Sequence, residues 1–82
     1  MLRLVRFRAV PARPKHRKIL GDTLREARKA ARLSQEVLAE KADLHPVYIG
    51  AVERGEKNIS VDAIVRVAKA LNIPVAHFFL GL

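Results

Sequence analysis

Beyond residue 10, apolar positions recur three and four apart, the repeat of a helix with one buried face. Leu20, Leu24, Ala27 and Ala31 make an i, i+4, i+7, i+11 stripe, which predicts a half-buried helix from about Arg17 to Ala31. Leu33 packs beneath the turn that follows. Val37, Leu38, Ala39 and Ala42 give a second helix its apolar face, and Ser34 is its N-cap, a hydroxyl that can accept from an unpaired amide one turn in. Asp43-Leu44-His45 breaks the repeat. Pro46 reopens a helix, because proline suits the first helical position, where its missing N–H is no loss. Ile49 and Val52, three apart, point back at the preceding helix, and Gly55 is the expected stop.

Glu56-Lys57-Asn58 is a polar loop. Ser60 caps a fourth helix with Ile64, Val67, Ala68 and Leu71 inward, and Asn72 ends it. Pro74 starts a last short helix, Val75 to about Leu80. Val75, Phe78, Phe79 and Leu82 are more large apolar residues than the solvent side of so small a domain should carry. Some face the core; the remainder form a patch that a second subunit covers. Five short helices and no sheet-forming set make an all-α domain. Its centre, two short helices about a tight turn, is the helix-turn-helix pattern, which places its second helix, here about 46–54, in the DNA major groove.

Eighty-two residues allow one domain, with a core small enough that a dimer interface would help its stability. There is no cysteine, and His16, His45 and His77 are too scattered for a metal site. No paired acids and no nucleophile beside a base suggest an enzyme, and nothing calls for a cofactor. No apolar run reaches the ~18 residues that span a membrane, and Met1 to Val10 mixes arginines into its apolar residues, a poor signal peptide, so the expected location is cytoplasmic. The net charge of +8 is uneven: residues 1–18 carry Arg3, Arg6, Arg8, Arg13, Lys15, Arg17 and Lys18 with no acid, whereas residues 19–82 carry nine basic and eight acidic residues. The chain thus divides into a basic N-terminal arm, 1–18, and a near-neutral domain, 19–82. Such an arm suits a polyanion, most simply nucleic acid, or is a solvated tail. Within it, Met1 to Val10 fits a short strand paired to a partner chain or a disordered segment, and Pro11-Ala12-Arg13-Pro14 should run extended, as arms along a DNA groove do.

Ser34-Gln35-Glu36-x-Leu38-Ala39, then Tyr48-Ile49-x-x-x-Glu53-Arg54-Gly55, then Asn58-Ile59-Ser60 and a helix ending Val67-Ala68-Lys69-Ala70-Leu71 resemble, in order and spacing, the lambda-repressor-like (Cro and xenobiotic-response-element) helix-turn-helix family. The resemblance covers about residues 19–80 and is nearest to small restriction–modification controller-type regulators. It implies a five-helix domain that dimerises through its C-terminal region, here Val75, Phe78, Phe79 and Leu82, and represses or activates transcription from a palindromic operator. It implies that Gln35 binds a phosphate, that Arg54, Lys57 and Asn58 grip the backbone of the same half-site, and that Arg28 and Glu53 form a buried ion pair. From the residues alone a solvated arginine beside the apolar stripe is the default for Arg28, and a partly buried pair with Glu53, the last acid before Gly55, is the sharper reading.

The family reads bases from positions occupied here by His45, Pro46, Val47, Gly50 and Ala51. None is arginine, asparagine or glutamine, the side chains that make bidentate base contacts. His45 and Tyr48 are the polar reading candidates, and Val47 and Ala51 can touch thymine methyls. Two functions remain: a sequence-specific transcriptional regulator acting as a homodimer on double-stranded DNA, or a protein-interaction module on the same scaffold, such as an antitoxin or anti-repressor, favoured by the poor reading face and the apolar C-terminal patch.

Overall fold

The structure is a computed structural model and describes residues 14–82. The readings of residues 1–13 as strand, disordered segment or groove-following arm lie outside the described residues. Four α-helices follow in order: α1 (Lys15–Ala30), α2 (Gln35–Ala42), α3 (Pro46–Glu53) and α4 (Val61–Leu71), then a 3₁₀ helix, Val75–Phe79. There is no strand among the described residues. Helix α1 starts two residues before the expected Arg17. Pro14 at its N-cap has φ −55° and ψ 145°, and its carbonyl accepts from Arg17 N at 2.9 Å. Lys15, Arg17 and Lys18 therefore belong to the first turns of α1, where Lys18 Nζ pairs with Asp22 at 2.7 Å. The helix ends at Ala30, so Ala31, the last member of the expected stripe, is exposed.

The helix starts follow the sequence closely. Ser34 Oγ accepts from Val37 N at 3.0 Å and Ser60 Oγ from Ala63 N at 3.0 Å, each satisfying an amide that the helix itself leaves unpaired. The helix ends share one device. Arg32, Asp43, Gly55 and Asn72 all lie in the left-handed region, with φ of 60°, 57°, 75° and 57°. After each, the next amide reaches back to the last turn: Leu33 N to Arg28 O, Leu44 N to Ala39 O, Glu56 N to Ala51 O and Ile73 N to Ala68 O, at 2.8–3.1 Å. Only one of the four is glycine.

Helix α2 packs against α4, and α1 and α2 both pack against α3. Leu24, Leu38, Ile49, Val52, Val67 and Phe78 are the largest fully buried side chains. The inward face of α4, Ile64, Val67, Ala68 and Leu71, is buried as its spacing predicts, whereas Val37 at the start of the expected α2 face is exposed. Gly21, mid-way along α1, is a close approach: a β-carbon there would collide with the Val52 carbonyl oxygen and lie 3.0 Å from the Glu53 carbonyl oxygen. The missing side chain lets α1 lie directly on the end of α3.

Two expectations for the C-terminus are corrected. The fifth helical segment is 3₁₀, not α: His77 N bonds to Pro74 O at 3.0 Å and Leu80 N to His77 O at 3.5 Å, both i to i−3. Pro74 fixes the start, and this tighter turn is used in short pieces such as the ends of a chain's helical segments. The turn aims Phe78 between α1 and α4, where it is 0% exposed. Phe78 is thus a core residue of its own subunit and leaves the expected dimerisation set; burying it contributes about 1.5–3 kcal/mol. Phe79, at 44% exposed, Val75 and Leu82 remain outside.

Candidate nucleic-acid interface

The rear of α3 is fixed by its last residue. Glu53 Oε2 accepts from Arg28 Nε at 2.6 Å, and Glu53 Oε1 accepts from Arg28 Nη2 and from Gln35 Nε2, each at 2.9 Å. Arg28 Nη1 donates to the Leu33 carbonyl at 2.8 Å. The two charged side chains are only 11% and 3% exposed. One carboxylate thereby ties α1, the turn after it, α2 and α3 together, and the planar fork of arginine makes the tie directional. The hydrogen bonds from Arg28 to Glu53 are the main reason its guanidinium pKa is raised above the ordinary value, so Arg28 stays charged. Of the two readings of Arg28 the buried pair is the one the structure adopts.

Gln35, the first residue of α2, keeps a second amide hydrogen and its oxygen after serving Glu53. Its side chain lies over Gly50, as does that of Arg54: a β-carbon on Gly50 would be 3.3 Å from Gln35 Oε1 and 3.1 Å from Arg54 Nη1. Gly50 is buried beneath them and does not present a side-chain position to solvent. Arg54 Nη2 contacts Glu56 Oε1 at 3.1 Å, a hydrogen bond that raises the arginine's pKa.

The front of α3 is short of polar groups. His45 is exposed but serves as the N-cap: its Nδ1 accepts from Val47 N at 3.1 Å, leaving Nε2–H as the ring's donor. Pro46 is at the first helical position, as expected. Val47 is 69% exposed, and Ala51, one turn on, is half-buried. Tyr48 is not positioned as a polar reader. Its hydroxyl accepts from Ser60 N at 3.0 Å and donates to Asn58 O at 3.3 Å, clamping the loop before α4 onto α3. Asn58 is held a second time, its Oδ1 accepting from Arg17 Nε at 2.8 Å, which leaves its NH2 group as the remaining donor. Lys57 is exposed beside it.

The predicted residues thus fall into two groups. Gln35, Arg54, Lys57 and Asn58 flank α3 with donors and cations; His45, Pro46, Val47 and Ala51 lie along its outer side. Arg17, Gly21 and the clamping role of Tyr48 escaped the sequence reading. An isolated glycine within a helical stripe was the available signal for Gly21; Arg17 and Tyr48 act on loop groups that carry no pattern. No described helix is long and apolar enough to cross a membrane.

The arrangement has counterparts among known proteins. The helix-turn-helix family profile matches residues 24–78. Control protein C.SmaI of Serratia marcescens is 46% identical over 59 residues, 72% of this chain and 70% of that protein. Control protein C.BamHI of Bacillus amyloliquefaciens is 41% identical over 58 residues, 70% of this chain and 72% of that one. The crystal structure of the restriction–modification controller protein C.AhdI from Aeromonas hydrophila superposes with a TM-score of 0.75 at 43% identity, covering 77% of this chain and 96% of that chain. The matched residues include α2, α3, the loop and α4 in full, so this chain belongs to the helix-turn-helix family of DNA-binding transcriptional regulators rather than to any family of enzymes.

Proposed function

We propose that the protein is a cytoplasmic regulator that acts as a homodimer on a palindromic operator, with α3 in the major groove. The observation that carries this reading is the exposed outer side of α3, held from behind by Glu53 and flanked by Gln35, Arg54, Lys57 and Asn58. Helix starts and loop amides with cations beside them suit phosphates, which set register, while the α3 side chains meet base edges. The exposed Val75, Phe79 and Leu82 supply an apolar surface for the second copy. Two copies related by a twofold axis would set their α3 helices about 34 Å apart, one turn of duplex. The basic N-terminal segment adds phosphate contacts. Because Lys15, Arg17 and Lys18 are in α1, the truncation that isolates the segment removes residues 1–13 only.

Selection of duplexes from a random pool, followed by a salt titration on the enriched sequence, tests the reading. A palindromic consensus and a steep fall of log K with log salt are expected, with a shallower slope after removal of residues 1–13. An unchanged slope would remove that segment from the mechanism. The second reading, an antitoxin or anti-repressor, draws on the apolar front of α3. It predicts that no duplex is enriched and that the chain is isolated with a protein partner.

A further inference from the structure

Building on the DNA-binding reading, we propose that the groove beside Val47 receives the 5-methyl group of a pyrimidine, in thymine or 5-methylcytosine, and that this contact carries the discrimination which α3 lacks in hydrogen-bonding side chains. Val47 stands between two grooves. On one side Gln35, Glu36, Pro46, Gly50 and Arg54 line one of about 320 Å3 with both polar and apolar walls. On the other, His45, Val47, Tyr48, Ala51 and Lys57 line one of about 360 Å3.

The second groove is apolar for identifiable reasons. Tyr48 has committed its hydroxyl to Asn58 and Ser60, so the ring is what it has left to offer. Val47 and Ala51 have no polar atoms. Val47 is β-branched and restricted at χ1, so its methyls are held in place before any ligand arrives. Of the groups that base pairs expose in the major groove, the pyrimidine 5-methyl is the apolar one. The surroundings fit the same occupant: the exposed Lys57 in the lining suits the neighbouring phosphate, and the groove shares Tyr48 and Lys57 with the one lined by Arg17 and Asn58. His45 adds a preference between the two sources. With Nδ1 used as the cap, Nε2–H is a donor. Thymine carries an acceptor, O4, beside its methyl; 5-methylcytosine carries a donor, N4–H2, there. The site favours thymine.

The test uses the full chain and the duplex it enriches from a random pool. Each thymine is replaced in turn by deoxyuridine, which removes the methyl and nothing else. At one or two positions in each half-site the affinity should fall about fourfold, the worth of one buried methyl-sized group. Val47→Ala, with its fold checked by its melting curve, changes both subunits at once, so it should bind the thymine duplex about as weakly as the parent binds the duplex carrying uracil at the sensitive position of both half-sites, and its thymine-to-uracil ratio should approach one. Changing the sensitive T·A pair to C·G and then methylating that cytosine at C5 separates the sources. Partial recovery extends the site to 5-methylcytosine; no recovery confines it to thymine. Uracil duplexes that all bind like the parent, or a thymine-to-uracil ratio unchanged by Val47→Ala, would overturn the inference and leave DNA binding standing. A pool that enriches no duplex would overturn both.

Discussion

The two sides of α3 are built on opposite terms. Behind it, among the described residues, every buried side-chain nitrogen and oxygen has a hydrogen-bond partner, and a single carboxylate joins three helices. In front, the side chains toward solvent are those of Pro46, Val47 and Ala51, with His45 beside them half occupied as a cap. The rear is specified closely, because a buried charge without its partner is expensive. The front is specified loosely, because beyond the start of the helix at His45 and Pro46 the fold does not depend on it. Position and chemistry are therefore separable in this domain: Glu53 decides where α3 sits, and Val47 and its neighbours decide what it meets.

The separation can be broken most sharply at Glu53. Glu53→Ala leaves Arg28 charged and buried without its carboxylate and should destabilise the domain by about 3–5 kcal/mol, read as the loss of cooperative thermal unfolding near the parent temperature. A double variant, Arg28→Met with Glu53→Leu, should recover most of that stability, since an apolar pair of similar volume replaces the ion pair. A Glu53→Ala protein melting at the parent temperature would refute the structural role. Next comes Gly21→Ala, which drives a methyl into the Val52 carbonyl and should cost about 1–3 kcal/mol in denaturant titration, despite alanine's better helix propensity. Arg32→Gly should act in the opposite direction. Arg32 holds φ 60° without being glycine, and relieving that backbone should add up to about 1 kcal/mol, seen as a higher melting temperature. The smallest effect on folding belongs to the front. Lys57→Ala should leave the melting temperature unchanged, while the slope of log K against log salt for the dimer falls by about 1.8, one phosphate for each subunit.

The same division explains what could be read from the sequence. Ser34 and Ser60 were legible as caps because their effect is local, and the inward face of α4 was legible because its spacing repeats without interruption. Phe78 and Phe79 were not separable. They are adjacent, and a five-residue 3₁₀ turn has no helical period by which to assign faces. Tyr48 reads as a polar residue on a recognition helix, but its partners are backbone groups of the following loop, and backbone groups leave no mark in a sequence pattern. His45 as a cap was missed because serine, threonine, aspartate and asparagine are the usual residues there. The Arg28–Glu53 pair was one of two readings open from the residues, since spacing places an arginine beside an apolar stripe and an acid just before Gly55 without saying whether they meet; the resemblance favoured the pair.

The shared left-handed stops at Arg32, Asp43, Gly55 and Asn72 bear on the route to this structure as well as on its shape. Each is closed by an amide reaching back five residues, so every helix length is decided by neighbours in the chain. Contacts of such short sequence separation form early and ask little loop closure of the polymer, the regime of low contact order in which small helical proteins assemble within microseconds to milliseconds. If the regulator acts as a pair of such chains, the folding of each is expected to be fast, and it is their meeting, which waits on concentration, that sets when the pair is ready.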